Sequence, residues 1–434
     1  MAELADTSKT SNQLPKTQKA IRLHAPRHVK VDDIPVPEIE HPDDAIVKVL
    51  LAGLCGSDLH PYRGHKFDGA EPFVKGHELY GEIVRLGSSF ASASSGSNKA
   101  EGRPKGYATY RVGMKVIATF SVSCLECEYC IHGFTSRCVH SQLLGSPALP
   151  GAQAQFIRIP KAGGTLIEMD SSDLPPETAI LLADILPTGY FATLQAFQHP
   201  NLASFLGRTN GLVDSYFNTN VVASAPNKTS VMVFAVVGLG PVGVCALVSL
   251  IDFMVLQING ARSETNNGSQ SRPPKLTFEI IAIDLQEARR EQARKFVEQI
   301  TEESWASEIS VKFLSPNDAV ADSCHAVLEA VGSSPTLALS SQLARPFGVI
   351  SSVGVHSNPV FPVPTPLLYD KNLSFAFGRC PVRTLLERSR EVLARRQNAF
   401  KGFVGTLVPL SEAPTAYERF EKNEGGKVCF APWA

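Results

Sequence analysis

Two rhythms of apolar and polar residues divide this chain of 434 residues. From about residue 19 to 190 the apolar residues come in short, β-branched runs: KAIRLHAP, DAIVKVLLAG, GHELYGEIVRLG, GMKVIATF and AQFIRIP. Gly, Pro and Asp punctuate them. Runs of this length and punctuation predict strands and a barrel-like β unit. From about 190 the apolar runs alternate with segments of helical period: VMVFAVVG before PVGVCALVSLI, FEIIAID before LQEARREQARKFVEQI, HAVLEAVG before PTLALSSQLA, then FGVISSVGV. Such alternation predicts a doubly wound, parallel α/β sheet. An amphipathic helix over TLLERSREVLARRQ and an edge strand at KVCF end the chain.

Some stretches break both rhythms. Residues 1–18 lack the apolar core of a secretory signal, carry Glu3 and Asp6 and no Arg, and are expected to be a mobile tail. ASASSGSNKAEGRPKG (91–106) and NGARSETNNGSQSRPP (259–274) are Ser-, Asn-, Gly- and Pro-rich without period and read as loop insertions; a third interruption covers about 200–228. The run 231–258 carries one charge, Asp252, and by length alone could span a bilayer. Glycines and Pro241 split it into a buried parallel strand and a buried helix, so no membrane span is expected.

Composition narrows the class. Lys+Arg is 41 and Asp+Glu 42, a net charge of −1, which leaves no electrostatic footprint for nucleic acid or an anionic membrane. Nine cysteines are too few for a disulfide framework, and four fall within fifteen residues: Cys124, Cys127, Cys130 and Cys138. Four thiolates from one loop fill a closed tetrahedral zinc site, in keeping with a reducing, cytoplasmic setting. A nucleic-acid-binding zinc ribbon would want more Lys and Arg than SCLECEYCIHGFTSRCVH offers. Two further segments carry ligand-type residues: GLCGSDLH, with Cys55, Ser57, Asp58 and His60, and VKGHELYGE, with His77 and Glu78. A thiolate with an imidazole suits zinc, yet either segment alone is a weak signal.

Taken in this order with the four-Cys loop, the segments resemble the zinc-dependent medium-chain alcohol dehydrogenase superfamily. In that family a Cys-x-[Ser/Thr]-x-x-His segment and a Gly-His-Glu segment precede the loop. The resemblance runs from about residue 19 to the C-terminus, apart from the three interruptions, and LLADILPTGY brings it nearest the formaldehyde-dehydrogenase-like branch. It implies a GroES-like β-barrel catalytic domain (19–185), a Rossmann coenzyme domain (186–378) and a C-terminal segment (379–434) that completes the first. It implies two zinc ions per chain, one structural on the four-Cys loop and one catalytic, with Cys55 and His77 as ligands of the second.

Asp184 is implied as the third ligand of the catalytic zinc. It lies in the apolar run AILLADIL, where an unpaired carboxylate would be costly to bury. A helix-capping or salt-bridged Asp remains open, and Glu78, beside the metal, is the other candidate ligand. The resemblance gives Ser57 and His60 a proton relay and Asp58 the orienting of His77. It places Thr188 against the nicotinamide and Phe120 in the substrate pocket, although Phe120 also fits as an ordinary core aromatic.

Gly238-Leu-Gly240-Pro-Val242-Gly243 follows an apolar strand and opens a helix, the context that makes G-x-G-x-x-G a dinucleotide fingerprint. An acidic residue is expected about twenty residues on. Asp284 ends FEIIAID but lies 284 − 243 = 41 residues after Gly243; the stretch 259–274 accounts for most of the excess. Asp284 is read as the ribose ligand and favours NAD over NADP, with Arg289 and Arg290 nearby. By resemblance, Arg289 lies over the adenosine ribose, and Val353, Gly354 and Val355 form the strand end beneath the nicotinamide. Relatives place an Arg just after the C-terminal Gly-Lys to meet the pyrophosphate; GGKVCF offers only Lys427.

The expectation is an NAD-linked oxidoreductase that interconverts an alcohol and an aldehyde or ketone, acting as a homodimer or homotetramer. A polyol or sugar dehydrogenase of the same superfamily and a non-catalytic zinc- and nucleotide-binding relative are the alternatives.

Overall fold

The computed structural model describes residues 14–65, 71–90, 102–169, 174–206, 230–266, 276–302 and 304–434. The first part builds strands β1 (Thr17–Ala25), β2 (His28–Pro35), β3 (Ala45–Leu54), β4 (Phe73–Val74), β5 (Leu79–Leu86), β6 (Lys115–Ala118), β7 (Phe156–Ile159) and β8 (Leu166–Glu168). The next part builds β9 (Ser230–Val237), β10 (Leu276–Ile283), β11 (Ile309–Leu314), β12 (Cys324–Glu329), β13 (Ala344–Ser352) and β14 (Ser374–Phe377); β15 (Val404–Pro409) and β16 (Lys427–Ala431) end the chain.

The first sheet has the order β15-β16-β3-β5-β6-β8, with β7 on β3; β2-β1-β4 form a small second sheet. KVCF is therefore not an edge. β16 pairs antiparallel with β3 and parallel with β15, which carries the edge. Its residues Lys427, Val428, Cys429 and Phe430 are all buried, as suits an inner strand covered on both sides, with Lys427 paired to Glu78.

The third sheet is the expected doubly wound one, order β11-β10-β9-β12-β13-β14, with every neighbour pair parallel. Alternate residues of β9 serve two cores. Phe234 and Val236 pack with Val244, Leu247 and Ile251 on one face; Ala235 and Val237 pack with Leu337 and Leu343 on the other. The first core continues through the helix Ile185–Phe197 to Cys55 and Phe120 in the β-rich part, so the two parts share one apolar interior.

The run 231–258 splits as expected into β9 and a helix, but the helix extends over Pro241–Asn266. The stretch read as a loop from 259 is thus helical through Asn266, and 267–275 lie outside the described residues. The helix is long because an apolar face is buried along most of its first half. Among the described residues Pro241–Gly260 is the one continuous helix long and apolar enough to cross a membrane, and 72% of its apolar window is buried inside the protein. Its one charge, Asp252, is fully buried on Arg395 and Arg396 (2.8 and 3.0 Å).

Two other expectations shift. β1 begins at Thr17, and buried Gln18 accepts a hydrogen bond from Phe156 N (2.6 Å), so the tail read as 1–18 overlaps the first strand; residues 1–13 lie outside the described ones. Of the insertion 91–106, the described end is held down. Arg103 makes a bidentate pair with buried Asp43 (3.0 and 3.0 Å), reaches Glu126 (2.9 Å) and stacks 3.8 Å over the Tyr107 ring. In the third interruption Pro200–Phe205 form a helix, and 207–229 are not described.

Candidate active site

β3 delivers Cys55 just past its last residue, at the start of a tight turn over Gly56–Asp58. The turn is closed by Asp58, whose Oδ2 accepts a hydrogen bond from Cys55 N (3.0 Å). His77 and Glu78 come immediately before β5, which pairs with β3, so the ladder brings both segments to one end of the sheet. Asp184 arrives from a third place. It sits at a 48° bend between the turn Ile180–Ala183 and the helix Ile185–Phe197, with φ −152° and ψ −69°.

These elements converge. One ligand atom from each of Cys55, His77, Glu78 and Asp184 lies within 4.8 Å of the others. Asp184 Oδ2 is 3.2 Å from His77 Nε2 and 3.8 Å from Cys55 Sγ. Ligands at ordinary zinc bond lengths on a tetrahedron stand about 3.3–3.8 Å apart, so this set has the right size and donor chemistry for that ion. The Asp184 carboxylate pairs with the His77 ring and not with the helix it precedes. Its side chain caps no backbone N–H of the helix it precedes, and among the described residues no Lys or Arg pairs with it. Its other oxygen, Oδ1, accepts the Thr188 hydroxyl (2.9 Å). Burial alone would raise the Asp184 carboxyl; the His77 ring and the Thr188 hydroxyl override it and hold it below the usual carboxylate range.

Behind His77 lies a second layer. Asp58 Oδ1 is 3.6 Å from His77 Nδ1 and 3.4 Å from Lys75 Nζ, and Lys75 also donates to the Gly145 carbonyl (3.3 Å). Burial opposes ionisation of Asp58, but His77 and Lys75 outweigh it and keep the carboxyl well below its ordinary range. Ser57 Oγ is 3.4 Å from His77 Nε2, and His60 stands on the next turn, half-buried, its ring 6.2 Å from that of His65. Phe120 meets His77 edge-on, centroids 6.4 Å apart. It is both a core aromatic and a wall of the site.

Glu78 belongs to the same cluster and is paired with Lys427, whose Nζ donates to Glu78 Oε1 (2.7 Å) and to the Leu54 carbonyl (3.1 Å). Room for the Glu78 carboxylate comes from Gly53, where a Cβ would lie 2.0 Å from Oε2. Lys427 is thus committed to Glu78 rather than to a pyrophosphate.

The four-Cys loop closes on itself. Cys124, Cys127, Cys130 and Cys138 also offer sulfurs within 4.8 Å of one another, with Cys124–Cys138 at 3.5 Å and Cys127–Cys138 at 3.9 Å. The sulfurs of a tetrahedral zinc–thiolate site stand about 3.8 Å apart. Backbone N–H groups of Cys124, Glu126, Cys127 and His140 point at the sulfurs of Cys124 and Cys138 (3.3–3.4 Å). Burial works against ionising Cys127, yet the N–H groups of Val139 and Cys130 bring its thiol down to about 6.

The glycine loop has the geometry of a phosphate cradle. Gly238, φ +91°, ends β9, and a Cβ on Gly243 would sit 1.7 Å from the Gly238 carbonyl oxygen. Gly240 faces a cavity shared with Pro241, Arg289, Gln292, Asn423 and Gly426, while Val242 packs partly into the main core. Asp284 ends the neighbouring strand. Its Oδ2 accepts from Leu239 N (2.8 Å) and its Oδ1 from Gln286 N (2.9 Å), so the carboxylate also braces the loop. Arg289 Nη1 is 3.6 Å from Asp284, and Arg290 is spent on the carbonyls of Asp284 and Leu285. Val353, Gly354 and exposed Val355 continue past β13 at the same end of the sheet.

The profile of the alcohol dehydrogenase GroES-like domain matches residues 41–170. Over 419 residues the chain is 35% identical to zinc-type alcohol dehydrogenase B of Aspergillus flavus, covering 95% of this chain and 81% of that one. The chain belongs to the zinc-dependent medium-chain alcohol dehydrogenase family. A second family member, medium chain reductase/dehydrogenase ucsI of Acremonium, is 32% identical and is covered over 95% of its length. Alcohol dehydrogenase TADH from Thermus sp. ATN1 superposes with a TM-score of 0.66 at 27% identity, over 95% of this chain and 99% of that one.

Within this family member, Lys75, Gly53 and the Lys427–Glu78 pair escape sequence reasoning. A Lys two residues before His77 has no pattern of its own, and 427 − 78 = 349 residues separate the ion pair. Cys380 is another: its thiol is pushed well up by burial and the nearby Asp184 carboxylate.

Proposed function

We infer that the protein interconverts an alcohol and its aldehyde or ketone with NAD. The observation that carries this is the convergence of Cys55, His77 and Asp184, with Ser57 on the rim, joined through Glu78 and Lys427 to the cavity of a dinucleotide-type loop. Cys55, His77 and Asp184 would hold a catalytic zinc, and the four-Cys loop a structural one. Bound zinc supplies a Lewis acid that lowers the pKa of the substrate hydroxyl, and the nicotinamide ring supplies the acceptor for hydride.

The chain's own groups do the rest. Asp58 braces His77 through Nδ1 and leaves Nε2 for the metal. Thr188 holds Asp184 Oδ1, so that Oδ2 faces the centre. Lys427 draws Glu78 aside and leaves the fourth position to substrate. Ser57 Oγ takes up the hydroxyl proton, and His60 passes it to solvent. Phe120 covers the His77 edge and keeps water from the reacting carbon. Asp284 accepts from the adenosine ribose, which favours NAD over the 2′-phosphorylated coenzyme, with Arg289 above the ribose. Val353, Gly354 and Val355 line the nicotinamide.

Asp184 within LLADILPTGY supports a place near the formaldehyde-dehydrogenase-like branch. The nine cysteines, none in a disulfide, support a reducing cytoplasmic compartment. Exposed Phe361 and Phe377 around the edge strand β14 support a homodimer or a higher homo-oligomer built on that edge. A panel of primary, secondary and sugar alcohols with NAD and NADP, read by nicotinamide absorbance, tests the reading. Zinc-dependent reduction of NAD by one class of alcohol is expected; zinc-loaded protein inert across the panel, in both directions, would leave the non-catalytic alternative.

A further inference from the structure

Glu329 closes β12 with a fully buried side chain, and its ion-pairing neighbour within 4 Å among the described residues is a histidine, His356 at 3.6 Å. A carboxylate so placed must be satisfied by neutral donors, and here it has four. Oε1 accepts from Val331 N (2.9 Å), Gly332 N (2.8 Å) and the Thr336 hydroxyl (2.8 Å). Oε2 accepts the Ser352 hydroxyl (2.6 Å). That uses the single hydroxyl proton of Ser352, so the 2.7 Å contact with His356 Nε2 is donated by the ring. The backbone adds one more tie, from Val353 N to the Glu329 carbonyl (3.0 Å).

One side chain therefore fastens the turn after β12 to the end of β13. The two pieces touch along their backbones. A Cβ on Gly354 would lie 2.0 Å from Gly332 N, and one on Gly332, φ +81°, would lie 2.4 Å from Val355 N. The same turn abuts the glycine loop, where a Cβ on Gly238 would lie 2.3 Å from Val331 Cγ2. This is the C-terminal end of the parallel strands, where ligands of open α/β sheets bind.

We propose that Glu329 is a positioning residue for the nicotinamide half of the coenzyme, through Gly332 and Ser352 holding Val353–Val355 as one fixed edge. The inference rests on the dinucleotide reading above and names the residue that sets this half of the site. A carboxylate accepts all four hydrogen bonds with charge; a carboxamide with its oxygen on the Val331, Gly332 and Thr336 side loses that charge and turns its NH2 to Ser352 Oγ, which reverses the bond that ties the strand end.

Dissociation constants for NADH and for ADP-ribose, which has the adenosine and pyrophosphate but no nicotinamide, test it on the zinc-loaded protein. Glu329→Gln is expected to weaken NADH binding by about tenfold or more, the scale of losing a charged hydrogen bond, and ADP-ribose by far less. Zinc content is expected to stay unchanged. Ser352→Ala removes only the strand-end arm and should weaken NADH selectively by a smaller factor; it decides the matter where Glu329→Gln does not fold. Equal weakening of both ligands, or of neither, overturns the proposal. Failure of the unaltered protein to bind either ligand overturns the coenzyme reading, and the inference with it.

Discussion

Lys427 Nζ lies 2.7 Å from Glu78 Oε1, and both side chains are sealed from solvent. Burial alone would strip the proton from Lys427; the Glu78 carboxylate holds its pKa above the ordinary lysine value. Removing one partner of such a pair strands a buried charge, which costs about 3–5 kcal/mol, whereas removing both with volume kept is far milder. Lys427→Met should therefore lower stability by about that amount. Lys427→Met with Glu78→Gln should recover most of it. Denaturant unfolding of the two single variants and the double one checks this, and additive losses would show that the pair is not coupled.

Asp184→Ala should abolish turnover and release one zinc per chain, because two of the three protein ligands do not close a catalytic site. The four-Cys zinc should stay. Elemental analysis alongside an activity assay reads both. Two zincs retained with near-normal activity would move the third-ligand role to Glu78.

Cys127→Ser should lower the thermal midpoint and halve the zinc content from two to one. Closed zinc–thiolate sites contribute folding energy directly. The remaining zinc should be lost on adding His77→Ala, which by itself is expected to cost activity and leave the fold. Zinc content unaffected by Cys127→Ser would reject the loop as a metal site.

Asp284→Ser should raise the use of NADP relative to NAD, since the carboxylate repels a 2′-phosphate. It should also weaken both coenzymes, because the Leu239 N–H of the glycine loop loses its acceptor. Ratios of kcat/KM for the two coenzymes give the answer; an unchanged ratio would falsify the ribose assignment.

Arg103→Ala should destabilise the protein by about 2 kcal/mol near neutral pH, because buried Asp43 loses its bidentate partner and keeps only Lys161 (2.9 Å) as a close cation. Burial pushes the Asp43 carboxyl up, but bonds from Arg103, Ser89 and Lys161 prevail and leave it well below the ordinary carboxylate range. A depressed folded pKa means stability that is present above about pH 4 and lost as pH falls through the folded value. The gap between the parent protein and Arg103→Ala should therefore narrow below about pH 4. Urea unfolding across pH 7 to 2 measures it; a constant gap would contradict the role given to Asp43.

What was legible in the sequence is what short spacing encodes. Cys124, Cys127, Cys130 and Cys138 need only one loop to meet, and Gly238, Gly240 and Gly243 need only one strand-to-helix turn; both geometries follow from local chain reach. The alternation of apolar runs foretold the parallel sheet for the same reason, since a strand buried on both faces must be apolar throughout. Composition misled where packing overrode it. The residues from 259 stay helical to Asn266 because the helix they prolong is already nucleated and buried, and extending a helix costs less than starting one. Arg103, in a stretch that read as loose, is held because Asp43, sixty residues away, Glu126 and the Tyr107 ring converge on its guanidinium.

Only the tertiary structure brings both acids to the metal-sized centre and gives each its partner. Sequence left Asp184 and Glu78 as rivals. The bend before Ile185 aims Asp184 at His77 and Cys55, and the pairing of β16 with β3 brings Lys427 across the chain to take Glu78. Neither fact is local: each depends on sheet register and on which charges burial forces together, and no spacing along the chain records either.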